Sequence, residues 1–231
     1  MISSPDALMI FAAGRGTRMA PLTKTRPKPI ISVAGQSLFQ HALDQCGGAN
    51  ISQMVANVHY LAEQMEQHAT TFGVTISDER DRLLDTGGGL RHALPHLPGE
   101  AVFTLNADAV WTGPPALETL ATQWRPADMD ALLLLVPAER ATGHLGSGDF
   151  RVLPDGRLRR GGPFVYTGAQ IIRTAPVAAH PFEVFSLNAI WNDLERRDRL
   201  FGVVHMGGWC DVGYPEAVPL AEAMLKNADD V

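Results

Sequence analysis

The stretch of sequence that decides the fold is residues 7–19, which read Ala-Leu-Met-Ile-Phe-Ala-Ala-Gly-Arg-Gly-Thr-Arg-Met. Residues 7–13 are all apolar and stop at a glycine, which predicts a strand buried on both faces. Strands of this kind are typical of parallel sheets that are covered by helices. The glycines that follow leave the backbone N–H groups open to an anion, and two arginines add positive charge. We therefore expect an anion site at the carboxyl end of this strand.

Apolar strands and amphipathic helices alternate through the first 136 residues. The predicted strands cover 54–58, 74–77, 101–106 and 132–136, and the predicted helices run from the N-cap Ser37 to Gly47 and over 61–71, 90–96 and 115–124. After residue 136 the pattern predicts a hairpin around a turn at 154–156, strands at 164–172 and 200–205, and helices at 186–197 and 215–227. This alternation indicates an α/β fold whose mixed, mostly parallel sheet is flanked by helices. We predict one domain over residues 1–231.

The charge of the chain is distributed unevenly. Its 231 residues carry a formal net charge of −6, from 25 acidic and 19 basic side chains, which argues against a general nucleic-acid binder. Residues 7–43 contain no Asp or Glu and carry a charge of +5, against −11 for the remainder. The five cations are Arg15, Arg18, Lys24, Arg26 and Lys28. A cationic island in an acidic chain predicts one anionic ligand at one place, and the alternative is chance clustering on a solvated loop.

Cysteine usage and hydropathy indicate the compartment. The two cysteines, Cys46 and Cys210, form no CxxC pattern, which excludes a disulfide framework and a cysteine-based zinc site. No stretch approaches the roughly 20 apolar residues of a membrane span, and the apolar run 7–13 lacks the cationic lead of a signal peptide. The histidines form no HExxH spacing, which leaves a zinc enzyme unsupported. We expect a cytoplasmic protein with no membrane partner.

Three common phosphate-binding loops do not fit residues 14–19. A P-loop requires a lysine after its second glycine, and none follows at that place. A dinucleotide-binding loop requires a third glycine where Met19 stands and an acid about 20 residues later, but no acid occurs before Asp44. A kinase loop would be accompanied by HRD and DFG motifs, which are absent from the sequence. None of these three loops therefore explains residues 14–19.

The longer string Gly14-x-Gly-Thr-Arg-Met-x-Pro-Leu-Thr, followed by Arg26-Pro-Lys-Pro29, resembles the signature of sugar-1-phosphate nucleotidyltransferases. The resemblance implies a Rossmann-like, GT-A-like fold and transfer of a nucleotidyl group from a nucleoside triphosphate to a sugar 1-phosphate, with release of pyrophosphate. It implies that the loop, comprising Ala12, Ala13, Gly14, Arg15, Gly16 and Thr17, wraps the triphosphate. It also implies catalytic roles for Arg18, Lys28 and Asp108. The prolines around Lys28 restrict its backbone, which fixes the position of its charge.

Two aspartates are candidate metal ligands. Asp108 follows the predicted strand 101–106 and so lies at the carboxyl ends of the strands, where open parallel sheets bind ligands. Asp211 precedes the last predicted helix. By itself, a strand-end aspartate is more often a turn or cap residue. The resemblance implies that Asp108 and Asp211 share Mg²⁺, an ion that carboxylates hold together with substrate phosphates. Ala107 stands where glycine is usual in the family.

Base and sugar recognition are also assigned by resemblance. The string Leu84-Asp-Thr-Gly-Gly-Gly-Leu90 is similar to the compact uridylyltransferases that act on N-acetylmuramate α-1-phosphate, enzymes of cell-wall recycling. It implies that Thr86, Gly87 and Gly88 meet the uracil, although a flexible loop or a helix start explains three glycines equally well. The implied sugar-binding residues are Asn106, Asp149, Gly168 and Asn188. The chain departs from the pattern at 159–162, where many relatives have an acid, and at Ser186, where the muramate enzymes have lysine.

The predicted activity is therefore Mg²⁺-dependent transfer from a nucleoside triphosphate, UTP first, to a sugar 1-phosphate, N-acetylmuramate α-1-phosphate first. The nucleotide half covers about 1–136 and the sugar-binding half about 137–231. Alternatives within the family are mannose, glucose or heptose phosphates or phosphocholine as acceptor, and GTP, dTTP or CTP as donor. An alternative from another class is a non-catalytic nucleotide-sugar sensor. We expect a monomer or small homo-oligomer with no nucleic-acid partner.

Overall fold

The computed structural model describes residues 4–229, so residues 1–3 and 230–231 lie outside the description. Its strands are β1 (Ala7–Phe11), β2 (Ser32–Val33), β3 (Gln36–Ser37), β4 (Gln53–Val58), β5 (Thr75–Asp78), β6 (Ala101–Asn106), β7 (Ala109–Trp111), β8 (Ala131–Pro137), β9 (Ala141–Thr142), β10 (Phe150–Val152), β11 (Leu158–Arg160), β12 (Phe164–Arg173), β13 (Leu200–Val204) and β14 (Trp209–Asp211). Its helices are α1 (Leu38–Asp44), α2 (Ala62–Thr70), α3 (Asp85–Ala93), α4 (Ala116–Gln123), α5 (Thr174–Ala178), α6 (Leu187–Arg196) and α7 (Ala217–Asp229). Within this part of the chain, no helix combines the length and apolarity that crossing a membrane requires.

One nine-stranded sheet forms the centre of the molecule. Its main path runs β11-β10-β12-β6-β1-β4-β5, and β8 joins the free edge of β12 and carries β13. Strands β1, β4, β5 and β6 pair in parallel, as do β8 and β13, whereas β12 runs antiparallel to both β6 and β8. Only β11 and β12 therefore run against the common direction. This is the mixed, mostly parallel sheet that the sequence predicts.

Helices cover both faces of this sheet. Strand β1 shows why, because Leu8 and Ile10 enter one core cluster and Met9 enters the cluster on the opposite face. The first cluster lies under α1, α2 and α4 and contains Phe39 and Phe103. The second lies under α3, α5 and α6. A strand that is apolar at every position needs cover on both sides, which is the reason for the three-layer arrangement.

A small second sheet, which the sequence pattern did not predict, positions both candidate metal ligands. It has the order β7-β14-β9, and Asp211 on β14 is paired with Ala109 on β7. The N–H of Val212 donates to the carbonyl of Asp108 at 3.0 Å. Helix α7 packs over this sheet through a third apolar cluster that includes Cys210 and Val212. The two aspartates, from opposite halves of the chain, are thereby made neighbours.

Most predicted elements form, with informative shifts at their ends. Ser37 and Ser186 cap α1 and α6 as predicted, since their hydroxyls accept from the N–H groups of Gln40 and Asn188. The first strand ends at Phe11 rather than at residue 13. The helix predicted from residue 90 begins at Asp85, so the glycine-rich segment is helical and not a loop.

Candidate active site

The loop after β1 packs closely around Lys28. Gly16 has a φ of +59°, and a Cβ on it would lie 2.9 Å from the Cβ of Lys28. The lysine stands between Pro27 and Pro29 at the start of a short 3-10 turn and is 8% exposed. Thr23 links the two ends of the loop, because its hydroxyl donates a hydrogen bond to the carbonyl of Gly16 at 2.9 Å. The absence of a side chain at Gly16 is what lets the lysine stem lie against the loop.

The loop opens into a cavity of about 540 Å³ at the carboxyl ends of β1 and β6. Ten of the predicted site residues line it: Ala12, Ala13, Gly14, Gly16, Thr17, Arg18, Lys28, Thr86, Asn106 and Asp108. Arg15 is exposed and is not part of the wall. The structure thus brings the cationic loop, the strand-end aspartate and the start of α3 around one space.

The two candidate metal ligands differ in their contacts. The Nζ atom of Lys28 lies 2.8 Å from Oδ2 of Asp108. Asp211 lies next to Gly213, since a Cβ added to Gly213 would be 3.1 Å from Oδ1 of Asp211. Among the hydrogen bonds and ion pairs of the described residues, none engages the Asp211 carboxylate. Burial raises the pKa of Asp211 and the Asp108 carboxylate adds to the rise, while Lys28, Arg18 and His144 oppose it.

A buried polar network, which sequence reasoning missed, holds the loop against the start of α3. The side chain of Asn57 accepts from the N–H of Ala12 at 2.8 Å and donates to Oε1 of Glu79 at 2.7 Å. The other oxygen of Glu79 accepts from the N–H of Leu84 at 3.1 Å. Burial raises the pKa of Glu79, and these hydrogen bonds oppose the rise. Asn57 interrupts the apolar run of β4, and that interruption is the signal that could have identified it.

Gly87 and Gly88 occupy different surroundings from those expected of a base-binding loop. Both are buried in the first turn of α3, and their N–H groups donate to the carbonyl of Phe185 at 2.9 and 3.0 Å. An added Cβ on Gly87 would contact the ring and the backbone of Phe185. Their function in the structure is to let α3 approach the 183–185 segment closely. Thr86, directly before them, does line the cavity.

A second cavity of about 240 Å³ adjoins the first and shares Phe11, Asp85, Thr86 and Asn106 with it. Two predicted sugar-binding residues, Asp149 and Asn188, line this second cavity. The remaining lining residues come from β10–β12 and the start of α6: Phe150, Arg160, Tyr166, Ser186, Leu187 and Trp191. The predicted nucleotide and sugar residues therefore fall largely into two connected spaces.

Gly168 acts behind the cavity wall. It has a φ of +90° in the irregular part of β12, and a Cβ there would lie 2.8 Å from the Cβ of Asn106. Gly168 is buried and lines neither cavity, whereas Asn106 lines both. The glycine thus makes room for Asn106 at the junction of the two spaces.

A cationic loop at the end of β1 faces two carboxylates carried by the β6–β7 connection and β14. Such a site can hold a polyphosphate and a metal cation together, which is what nucleotidyl transfer requires. The chain is a nucleotidyltransferase. It belongs to the family described as the MobA-like NTP transferase domain, whose model matches residues 8–198. The predicted resemblance is thereby confirmed.

Two relatives cover nearly the whole chain. The N-acetylmuramate alpha-1-phosphate uridylyltransferase of Caulobacter vibrioides is 38% identical over 242 residues of alignment, which span 99% of this chain and 100% of the relative. The protein of the same name from Neisseria meningitidis serogroup B is 34% identical over 89% of this chain and 92% of its own length.

Solved structures confirm the predicted fold class. The inositol-1-phosphate CTP transferase from T. maritima superposes with a TM-score of 0.78 at 15% identity, covering 99% of this chain and 98% of that one. A UDP-glucose pyrophosphorylase complexed with UDP-glucose gives 0.76 at 16% identity, covering 98% and 99%. The chain thus has the GT-A-like nucleotidyltransferase fold.

Proposed function

We propose that the protein transfers a uridylyl group from UTP to N-acetylmuramate α-1-phosphate, forming a nucleotide sugar and releasing pyrophosphate. The observation that carries this proposal is the pair of adjoining cavities, one lined by the cationic loop and the other by polar side chains of the second half. A triphosphate and a sugar phosphate can lie side by side in them. The names of the Caulobacter and Neisseria relatives support the choice of base and acceptor.

The reaction is an in-line displacement at phosphorus. An oxygen of the sugar phosphate attacks the α-phosphorus of UTP, the bond from that phosphorus to the bridging oxygen breaks, and pyrophosphate leaves with the electron pair. The chain supplies position and charge, so no covalent intermediate on a side chain is needed. In this proposal Lys28 and Arg18 neutralise phosphate oxygens, as preorganised cations do in other transfers. Arg15 adds charge from the rim of the loop.

The carboxylates of Asp108 and Asp211 fit a magnesium ion. No group of three or more His, Cys, Asp or Glu side chains among the described residues is arranged to hold a metal alone. Mg²⁺ characteristically uses one or two carboxylates and completes its shell with substrate phosphates and water. Asp211 offers two oxygens without a protein partner in the described part of the chain, close to the phosphate-binding loop. The ion would supply neutralisation of charge on the triphosphate.

The remaining predicted residues divide between the two ligands. The loop backbone holds the triphosphate through Ala12, Ala13, Gly14, Gly16 and Thr17. Thr86 contacts the base, and Gly87 and Gly88 position Thr86 by their close packing against the 183–185 segment. Asn106 and Asp149 contact the acceptor, Gly168 supports Asn106, and Asn188 shapes the acceptor cavity. We also assign the protein to the cytoplasm, because both cysteines are free thiols, as expected in a reducing compartment.

The test is a pyrophosphate-release assay with each of the four nucleoside triphosphates against a panel of sugar phosphates. We expect the highest kcat/KM with UTP and N-acetylmuramate α-1-phosphate, and loss of turnover in EDTA that added Mg²⁺ restores. Release with a different pair would replace the proposed substrates. Nucleotide-sugar binding without turnover of any pair would instead indicate a sensor.

A further inference from the structure

Arg159 and Arg160 are neighbours on β11, but their side chains leave the strand on opposite faces. Arg159 forms an ion pair with Asp198. Arg160 turns into the second cavity, where its guanidinium lies 4.6 Å from the ring centre of Phe150 and 5.5 Å from that of Trp191. Because side chains alternate between the two faces of a strand, Arg160 points into the second cavity and Arg159 points away from it.

The guanidinium of Arg160 is held by neutral groups. It donates to the side-chain oxygens of Asn188 at 2.7 Å and Asn192 at 3.1 Å. No carboxylate of the described residues lies within ion-pair distance of it, in contrast to Arg157, Arg159, Arg173 and Arg199. A partly buried cation without an anionic partner is expensive to maintain. The amides fix its orientation and leave it without an ion-pair partner among the described residues.

Two acidic side chains, Asp149 and Glu195, favour the charge of Arg160 from beyond ion-pair distance, and each accepts a backbone N–H. Asp149, in the same cavity, accepts the N–H of Tyr166 at 2.9 Å. Glu195 accepts the backbone N–H of Arg160 itself at 3.0 Å. The first residues of α6 also line this cavity, so the positive end of that helix reinforces the field of the guanidinium. The guanidinium, with no ion-pair partner of its own in the described part of the chain, is thus free to pair with an anion that is additional to the reacting phosphates.

We propose that Arg160 is a specificity-determining residue that binds a carboxylate on the acceptor sugar. This inference rests on the proposed function and deepens it, because it names a sugar 1-phosphate bearing a carboxylate as the substrate class. The planar guanidinium matches the two oxygens of a carboxylate, and the aromatic rings beneath it exclude water. N-acetylmuramate carries such a carboxylate on its lactyl ether, and N-acetylglucosamine does not.

The experiment compares kcat/KM for three acceptors with UTP: N-acetylmuramate α-1-phosphate, its lactyl carboxamide and N-acetylglucosamine α-1-phosphate. The proteins are the wild type, Arg160→Gln and the matched control Arg159→Gln. We expect the wild type to prefer the carboxylate-bearing acceptor over the two acceptors that lack a carboxylate by about 10- to 100-fold, the range of one charge-assisted interaction. Arg160→Gln should lose that preference by lowering the carboxylate value alone. Arg159→Gln should keep it.

A wild type that uses the carboxylate and the carboxamide equally well overturns the inference, and this comparison requires no variant to fold. Equal losses for all three acceptors in Arg160→Gln also overturn it, since they would mean that Arg160 only supports α6. In either case the proposed function stands, because pyrophosphate is still released. Absence of release with every acceptor is the separate result that removes the proposed function and this inference with it.

Discussion

Lys28 illustrates how single residues fix charge in this site. Its stem lies against Gly16, its neighbours are prolines, and its ammonium contacts Asp108 at 2.8 Å. A lysine on a mobile surface would lose conformational entropy each time it met a phosphate. Here most of that entropy is lost when the chain folds, so the charge is in place before substrate arrives.

We expect Lys28→Ala or Asp108→Asn to lower kcat by about 100-fold or more, as loss of one preorganised electrostatic group does in other enzymes. Steady-state pyrophosphate release with saturating substrates measures this effect. Lys24→Ala is the control, because Lys24 is exposed in the same loop and lines neither cavity. Near-normal turnover of either site variant would contradict the assigned roles.

His205 provides a pH-dependent contribution to stability. It is fully buried after β13, its Nε2 lies 3.0 Å from the carbonyl oxygen of Thr112, and burial lowers its pKa. The unfolded chain, in which a histidine has a pKa of about 6.5, therefore binds the proton more readily. The stabilising contribution is complete above about pH 6.5 and is lost as the pH falls from there towards the folded-state pKa.

We expect the free energy of unfolding to fall less steeply below about pH 6.5 in His205→Gln than in the wild type. Urea denaturation at a series of pH values measures this slope. His96→Gln, at an exposed position, should retain the wild-type slope. Identical slopes in the wild type and His205→Gln would show that another group dominates the titration.

At the scale of elements, the start of α3 is decided by tertiary contacts. Three consecutive glycines have poor helix propensity, yet residues 87–89 lie in the first turns of a helix. The carbonyl of Phe185 accepts two N–H groups of that first turn, which would otherwise be unpaired. Because α3 also packs against the buried Asn57–Glu79 pair at Gly89, any side chain there would be crowded.

We expect Gly87→Ala to destabilise the protein by about 1–3 kcal/mol, the usual cost of overpacking. In an unconstrained helix the same change would be stabilising by up to about 1 kcal/mol. The opposite sign follows because the added Cβ would lie 2.9 Å from the carbonyl oxygen of Phe185 and would contact its ring. Gly14→Ala is the control for thermal unfolding, since a Cβ on Gly14 meets no atom within 4 Å. A more stable Gly87→Ala variant would contradict this packing.

At the scale of the whole molecule, the Asn57–Glu79 network joins the ends of β1, β4 and β5 to the start of α3 at the wall of the first cavity. Its four groups are the N–H of Ala12, the Asn57 amide, the Glu79 carboxylate and the N–H of Leu84. Each is buried, so each needs its partner. The network therefore connects the loop after β1 to the helix that carries Thr86.

We expect Asn57→Ala to lower the free energy of unfolding by about 2–3 kcal/mol, because it leaves a buried N–H and a buried carboxylate oxygen unpaired. Urea denaturation measures the change. Asn227→Ala, at an exposed site on α7, should remain within about 0.5 kcal/mol of the wild type. A negligible effect at Asn57 would mean that other groups replace its hydrogen bonds.

The sequence predicts those features that depend on neighbouring residues. Apolar runs locate the central strands, Ser37 and Ser186 locate two helix starts, and the glycine loop with Lys28 locates the cavity. The β7–β14 pairing and the start of α3 escape such reasoning, because both depend on partners far along the chain. The role of Arg160 is likewise invisible until the positions of Asn188 and Asn192 are known.

The pairing of β7 with β14 also sets an order of events during synthesis. A ribosome makes the loop after β1 and Asp108 well before Asp211, and α7, which packs over that small sheet, follows Asp211 in the chain. If Asp108 and Asp211 share a metal ion as proposed, a chain that has not yet reached β14 lacks one of the two carboxylates. On the proposed assignment, metal-dependent turnover therefore begins only after β14 has been synthesised and has paired with β7.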